Sequence, residues 1–424
     1  MQPLRAALRA LVEDVCQTCA GVTPSTYSWT CLVRLADGSA RMHTEERADF
    51  LTPLVGRVEQ LPAFDDLLDA LQADPALSAR FLVDAAGQPL ADRADQRFFV
   101  LTFFAMPFLG RYLRRVQGFR FEATAFDALF GQVAADIASP TIVVTYLTPL
   151  LNVLLVPGAV ELRPGLRLRQ LATEEVEQWL NLHGEGTGLS SYQLMQLRCA
   201  LEIDVARGRF DPSGAADTDG VRADAVNLLR LLLDRNVGLA FTQEVTPSIS
   251  ALGLTLFTQP ALHLPDALAT LDAATGERLA RLWGRLQGTP RFALAFRRWG
   301  EALGRLREED RLIDYWVGLE TLFTPDGTTE LRFRAALRVA ALLGRTADER
   351  EAIYRDLGTS YNRRSGVVHG SDKSPADLPH VVGTTRAYLR RALLLILEAE
   401  RPFDATALEI LVLRESAPDA PGAR

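Results

Sequence analysis

Residues 1–136 change between a strand-like and a helix-like pattern of hydrophobic positions. Residues 27–35 are rich in β-prone side chains, and Asp37-Gly38 followed by residues 40–43 indicates a hairpin turn and its returning strand. Beyond the hairpin, apolar residues recur at three- and four-residue spacing, which predicts helices. This N-terminal region is therefore expected to be mixed α/β, and none of its motifs indicates catalysis.

Residues 137–285 combine short apolar runs separated by proline with longer amphipathic runs. Leu252, Leu254 and Leu256 alternate along the chain, as in a half-exposed strand. Residues 221–235 have helical spacing instead. The middle region is therefore expected to be α+β.

After residue 285 the strand signals stop, and helical patterns continue to about residue 400. Residues 291–323 predict a long helix with a break near residues 308–310. Its second half has one apolar stripe at three- and four-residue spacing, formed by Leu312, Tyr315, Trp316, Leu319, Leu322 and Phe323. A stripe of this kind predicts a helix that packs against others.

Small and polar residues predict where the later helices begin and end. Gly344 is expected to stop one helix, and Thr346-x-x-Glu349 is a capping box for the next. Gly358 is expected to end or bend that second helix. The fold class is therefore α+β, in four regions: a mixed α/β region (1–136), an α+β region (137–285), an all-α helical bundle (286–402) and a tail (403–424).

Composition and charge favour a folded chain that contacts an anion through one region. Of the 424 residues 48% are hydrophobic, which is enough to bury sizeable cores. The net charge is −7, yet residues 291–401 hold 19 Arg/Lys against 16 Asp/Glu, so this region carries +3 and the remainder −10. Such an asymmetry favours local anion contact, whereas a protein that coats DNA would be strongly basic.

Two uncharged stretches, residues 137–160 and 245–265, are long enough to be considered as membrane spans. Each contains three prolines, so buried strands explain them better than a membrane helix does. The first residues contain arginines and no long apolar run, so no secretory signal is expected. We therefore expect a soluble, cytoplasmic protein without membrane contact.

The spacing of the cysteines raises the question of a metal site. Cys16 and Cys19, with Cys31 and His43, can be drawn as zinc ligands. Structural zinc sites usually pair two close doublets, however, and Cys31 and His43 stand twelve positions apart. Burial in ordinary packing is the preferred interpretation, and no metal or other cofactor is expected.

The strongest chemical signal is Arg364, which stands five positions before His369. Arginine is always protonated and binds phosphate through a bidentate fork. Histidine exchanges a proton near neutral pH. The two groups together are sufficient to hold a phosphodiester and move a proton without a metal ion. That suffices to cleave RNA, because the 2′-hydroxyl of RNA supplies the nucleophile.

Residues 290–400 resemble the Apea-like branch of the HEPN superfamily, whose domains are bundles of four or more helices, commonly paired as dimers. Its signature is Arg, four to six residues, then His. The resemblance rests on the fragment 309–314 with Glu320, the arginine-rich helix 332–345, and Tyr361-x-x-Arg364-Ser365-x-x-Val368-His369-Gly370. Residues 1–285 are similar only to the leader regions that such proteins often carry.

The resemblance implies a metal-independent endoribonuclease that acts on RNA, assembles as a homodimer through its C-terminal helices and serves in antiviral or toxin-like defence. His369 is the implied general base or acid, and Arg364 the implied phosphate ligand. Arg363 fits a longer Arg-x5-His spacing and is the substitute for Arg364. The supporting residues that are expected to orient the imidazole, contact phosphate or hold the arginines are Tyr361, Asn362, Arg363, Ser365, Asp314 and Glu320.

Helix geometry complicates this assignment. Positions five apart on an ideal helix differ by about 140°, so Arg364 and His369 do not share a face. A distorted turn at Gly366, or a dimer that joins the Arg of one subunit to the His of the other, would bring them together. Two alternatives stay open: a non-catalytic module that binds nucleic acid or a nucleotide, and a bundle that only dimerises.

Overall fold

The structure is a computed structural model that describes most of the chain. The described residues are 1–34, 40–83, 88–139, 141–156, 158–181, 188–208, 218–245, 255–258, 268–286, 290–325, 330–370, 376–399 and 403–412. The predicted turn at residues 37–38 lies outside them, as do Leu252, Leu254 and the end of the predicted tail.

Helices account for most of the described residues. In chain order they are α1 (Gln2–Thr18), α2 (Pro62–Ala73), α3 (Pro75–Phe81), α4 (Arg93–Val100), α5 (Met106–Val116), α6 (Ala123–Ala138), α7 (Thr173–Asn181), α8 (Ser191–Gln196), α9 (Thr218–Leu233), α10 (Ala273–Arg285), α11 (Pro290–Gly304), α12 (Glu308–Phe323), α13 (Leu331–Leu343), α14 (Ala347–Val368), α15 (Leu378–Glu398) and α16 (Ala407–Val412). A π-helical segment, Leu101–Ala105, connects α4 to α5.

The strands are β1 (Ser25–Arg34), β2 (Ala40–Asp49), β3 (Thr141–Leu151), β4 (Val153–Leu155), β5 (Ala159–Arg163), β6 (Leu166–Gln170), β7 (Cys199–Gly208), β8 (Gly238–Leu239), β9 (Phe241–Val245), β10 (Thr255–Thr258) and β11 (Ala269–Leu271). β1 and β2 form an antiparallel hairpin, as do β5 and β6. β10, β9, β3 and β7 lie side by side in that order. The expected α+β fold class is confirmed at this level. Within the described part of the chain, no helix is long and apolar enough to cross a bilayer.

The chain divides into two compact units. Unit 1 contains Met1–Pro149, Leu171–Thr218 and Ala240–Pro260, and unit 2 contains Leu150–Gln170, Asp219–Leu239 and Ala261–Arg424. Residues 137–285 therefore contribute to both units. The finer boundaries at residues 136, 285 and 402 stay predictions.

Unit 1 has a helical core that follows from the amphipathic spacing of its helices. On α1, Leu4, Leu8 and Leu11 recur every three or four residues and are 0% exposed. Cys16 and Cys19 belong to the same core. Their expected burial in helix packing is confirmed, and the free thiols behave there as small apolar side chains.

Unit 2 contains the apolar stripe predicted for residues 312–323. Its six side chains are each 3% exposed or less, and α12 packs on α11, α13, α14 and α15. The long helix predicted over residues 291–323 is two helices, because the chain leaves the helical conformation at residues 305–307. The break therefore comes slightly before the expected position.

Gly358 does not end α14, which continues from Ala347 to Val368. A side chain at this position would meet α13, since a Cβ on Gly358 would lie 3.4 Å from Nη2 of Arg332. Glycine inside a helix costs about 1 kcal/mol relative to alanine, which tertiary packing readily offsets. The expectation that α14 ends at Gly358 was wrong, because it rested on local helix propensity and left out packing against the neighbouring helix.

The predicted end of α13 and the predicted start of α14 are confirmed. α13 ends at Leu343, directly before Gly344, and the Thr346 hydroxyl accepts a hydrogen bond from the Glu349 amide at 3.2 Å. The Glu349 carboxylate accepts from the Arg345 amide at 2.7 Å, one residue earlier than in a standard capping box. These contacts set where α14 begins, and hence which residues its last turns present.

Candidate functional site

The last turns of α14 carry the predicted Arg/His segment. The helix continues through Gly366 to Val368, and the His369 amide still donates to the Ser365 carbonyl at 3.0 Å. Gly370 follows with φ +68°, a left-handed conformation that glycine adopts without strain and that commonly ends helices. His369 therefore stands at the C-terminal end of α14, and its side chain is exposed.

Arg364 is partly buried against α12 and is loosely paired there. Its Nη2 lies 3.7 Å from Oε2 of Glu320, which is beyond hydrogen-bond distance, and the two side chains are 23% and 20% exposed. Nε of Arg364 and Oε1 of Glu320 are buried without a hydrogen-bond partner among the described residues. The guanidinium also stands 5.7 Å from the ring centre of Tyr361, a cation–π contact. A guanidinium whose donors are incompletely used is suited to receive an anion.

Tyr361 packs against a series of buried hydrogen bonds that joins three helices. Its ring meets Trp316 of α12 edge to face, with ring centres 5.0 Å apart. The Trp316 indole donates to the Ser360 hydroxyl at 2.8 Å, which in turn lies 2.6 Å from the Thr385 hydroxyl on α15. Thr385 donates to the Val381 carbonyl at 2.7 Å. Because Trp316, Ser360 and Thr385 are almost fully buried, these contacts define the rotation of α14 about its axis.

Three further predicted residues lie near Arg364 in sequence and differ in their contacts. The Asn362 side-chain oxygen accepts from Arg332 of α13 at 3.3 Å. Arg363 donates to Asp377, just before α15, at 2.9 Å. Ser365 is half-buried, and its carbonyl accepts from the helix end. Arg363 therefore already has a close carboxylate partner, whereas Arg364 has a more distant one.

Asp314 does not join this group. Its carboxylate accepts from Arg305 at 2.8 Å and lies 3.4 Å from Nη1 of Arg298, so it holds arginines at the end of α11 rather than Arg363 or Arg364. The reason is helical phase, since positions six apart on a helix differ by about 120° in direction. Glu320, six residues later, is the carboxylate that faces α14.

Within the described part of one chain, no hydrogen bond or ion pair joins Arg364 to His369. Since α14 is continuous, the two residues are about 140° apart around its axis. Gly366 lies inside α14, which continues through it to Val368. Arg364 is directed toward α12, and His369 is left exposed at the helix end.

Replacement of Glu320 by glutamine is expected to change how stability depends on pH. Burial raises the pKa of Glu320 above its ordinary 4.5, and the Arg364 charge opposes that rise only in part. The folded state therefore holds this proton more tightly than the unfolded chain does. The contribution of Glu320 to the free energy of unfolding consequently falls as pH rises from about 4.5 through the raised pKa, and it stays lower above that pKa.

Urea unfolding across this pH range, compared between the parent and Glu320→Gln, measures the effect. The free energy of unfolding of Glu320→Gln is expected to lack this decrease with rising pH. Glu351→Gln, which removes an exposed carboxylate of α14, is the control and should follow the parent curve. Parallel curves for the parent and Glu320→Gln would contradict the assignment of the raised pKa to Glu320.

Two groups escaped the sequence analysis. Trp316 belongs to the predicted apolar stripe, although a buried indole N–H usually needs a hydrogen-bond acceptor. Its hydrogen bonds continue through Ser360 to Thr385, a contact that no local pattern indicates. Among the described residues, metal-ligand atoms come close together at Cys31, His43 and Glu45 of the β1–β2 hairpin, not on α14. Of this second group, Glu45 was not considered.

The candidate site thus has three parts. Arg364 on α14 has hydrogen-bond donors that are incompletely used, and Tyr361, which packs on the series of hydrogen bonds that begins at Trp316, positions it. His369 is exposed at the end of the helix. The resemblance of residues 290–400 to HEPN domains rests on sequence motifs. Comparison with protein-family models, with curated proteins and with solved structures finds no match to this chain.

Proposed function

We propose that this chain is a metal-independent endoribonuclease of the HEPN type, in which Arg364 binds the scissile phosphate and His369 transfers a proton. The observation that carries the proposal is the Arg364 guanidinium, which is partly exposed and has its carboxylate partner, Glu320, 3.7 Å away. A phosphate oxygen at hydrogen-bond distance would satisfy this guanidinium better than Glu320 does. The proposal includes a cytoplasmic enzyme with a defence or toxin-like role.

In the proposed reaction, the 2′-hydroxyl oxygen of RNA attacks the adjacent phosphorus. The bond from O2′ to phosphorus forms while the bond from phosphorus to O5′ breaks. His369 removes the 2′-hydroxyl proton as general base, or delivers a proton to the leaving O5′ as general acid. Arg364 stabilises the negative charge that grows on the phosphate oxygens. The products carry a 2′,3′-cyclic phosphate and a 5′-hydroxyl.

A homodimer through the C-terminal helices would complete this site. Within one chain the two groups are about 140° apart on α14, so a single copy does not direct both at one phosphate. Ser365 and Gly366 are small, which permits a close crossing between two copies of α14, and Val368 is an apolar side chain that is 50% exposed. Twofold symmetry would pair Arg364 of each subunit with His369 of the other.

Mixing two inactive variants tests this arrangement. Arg364→Ala and His369→Ala are each expected to be inactive, whereas an equal mixture, unfolded and refolded together, forms heterodimers with one intact composite site. Half of the dimers would then have one of two sites, so about a quarter of the parent rate should return. The measurement is cleavage of a labelled RNA in EDTA, with identification of the product ends. If the parent is active and the mixture shows no recovery, either each site uses Arg364 and His369 of the same chain, or one of the two residues is not part of the catalytic site.

A second candidate, a non-catalytic nucleic-acid or nucleotide-binding or dimerisation module, is favoured by the contact between Arg364 and Glu320. That contact gives the arginine a structural role in the helical region. In this case the parent would bind RNA in a salt-dependent way without cutting it, and His369→Ala would bind equally well. A module that only dimerises would show no salt-dependent RNA binding.

A further inference from the structure

The β1–β2 hairpin places a thiol, an imidazole and a carboxylate on one face. In its antiparallel register Cys31 stands opposite His43, and Trp29 stands opposite Glu45. Side chains two positions apart along a strand point to the same face, so all four share it. The Cys31 sulfur, a His43 ring nitrogen and a Glu45 carboxylate oxygen all lie within 4.8 Å of one another.

Two charged side chains border the cluster, Arg47 of β2 and Glu177 of α7. Arg47 contacts two of the three groups directly, since its Nε lies 2.6 Å from the Glu45 carboxylate and its Nη2 donates to the Cys31 sulfur at 3.8 Å. The Arg47 guanidinium stacks on the Trp29 ring at 4.5 Å, and it lies 4.0 Å from Glu177.

Helix α7 holds the cysteine side of the cluster in place. The backbone amides on either side of Cys31 are both bound there: the Thr30 amide donates to Asn181 at 2.7 Å, and the Leu32 amide donates to Glu177 at 2.7 Å. The Asn181 side chain also returns a hydrogen bond to the Thr30 carbonyl at 2.9 Å. Cys31 is therefore a fixed ligand position, while the exposed His43 has freedom to adjust.

We propose that Cys31, His43 and Glu45 form a binding site for Zn²⁺, with a water molecule as fourth ligand. A thiolate and an imidazole select a borderline-soft ion over Mg²⁺ or Ca²⁺, which prefer oxygen ligands. The ligand atoms already lie within 4.8 Å of one another, and the exposed His43 and Glu45 can adjust to bonds of about 2.0–2.3 Å in a tetrahedron. On binding, the ion replaces the thiol proton, which leaves to solvent, and the Glu45 carboxylate exchanges its contact with Arg47 for one with the ion.

Titration of the full-length chain with Zn²⁺, after EDTA treatment and desalting, tests the site. One equivalent is expected to bind. Co²⁺ as a probe should give the near-ultraviolet charge-transfer band of a cobalt–thiolate bond, and Cys31→Ser should abolish that band. Loss of a residue that only supports a metal ligand weakens metal binding by roughly 10- to 100-fold. Glu45→Gln and His43→Ala each remove a ligand, so each should weaken Zn²⁺ binding by more than this.

Glu46→Gln is the matched control, because Glu46 neighbours Glu45 on the same strand but points to the other face, where Ser28 donates to it at 2.8 Å. It should bind Zn²⁺ like the parent. Absence of stoichiometric binding, or equal affinity in Glu45→Gln and Glu46→Gln, overturns the proposal. His43 and Glu45 are exposed, so their variants report on the site even if Cys31→Ser folds poorly. The proposal is independent of the nuclease, whose proposed chemistry needs no metal ion.

Discussion

Replacement of His369 by alanine is expected to lower the rate of RNA cleavage in EDTA by about 10²- to 10⁴-fold, the usual loss when a general acid or base is removed. His369 is exposed at the end of α14, and its side chain makes no hydrogen bond or ion pair with another described residue. Its removal should therefore leave the folded structure intact. The measurement is the initial rate of cleavage, together with circular dichroism and the thermal midpoint.

His380→Ala is the matched control for this prediction. His380 is also an exposed histidine of unit 2, in the first turn of α15, and its loss should change the rate by less than about twofold. RNA binding by His369→Ala should persist, because Arg364 would supply the phosphate contact. Full activity in His369→Ala, or equal losses in the two histidine variants, would contradict the assigned role.

Replacement of Trp316 by alanine is expected to destabilise unit 2 by about 3–5 kcal/mol, since it removes a large, fully buried side chain and leaves a cavity. The change also removes the donor at 2.8 Å from Ser360 and the edge contact with Tyr361. Tyr361 would then lose its support beneath Arg364. The measurement is urea unfolding, with hydrogen exchange of α12, α14 and α15 to locate the loss.

Trp316→Phe separates packing from hydrogen bonding. It keeps most of the apolar contact, and the Ser360 hydroxyl retains Thr385 at 2.6 Å, so the loss should be only about 1–2 kcal/mol. If Trp316→Ala unfolded within about 0.5 kcal/mol of the parent, Trp316 would not be the anchor of these helices. Equal losses in both variants would instead assign the whole effect to the hydrogen bond.

The sequence predicted those features that depend on neighbours along the chain. The stripe on α12 was predicted because a period of 3.6 residues decides which side chains share a helix face, and its members are buried. The start of α14 at Thr346 was predicted because a cap needs only a hydroxyl and an amide three residues later. The α+β class followed from the same periods.

Local reasoning failed where a distant side chain decides the outcome. Gly358 was expected to end or bend α14, but the helix continues through it to Val368, and Arg332 of α13 lies 3.4 Å from the Cβ position. Asp314 was grouped with Glu320 by sequence, although helical phase directs it to α11.

By itself, then, the sequence determined the succession of helices and strands, the faces they bury and the presence of Arg364 and His369 near a helix end, because each depends on short-range periodicity and side-chain type. Only the tertiary structure decided that Arg364 is left loosely paired and that a cross-strand register groups Cys31, His43 and Glu45. The physical reason is that charge satisfaction and ligand geometry depend on contacts between residues far apart in the chain, which no local pattern records.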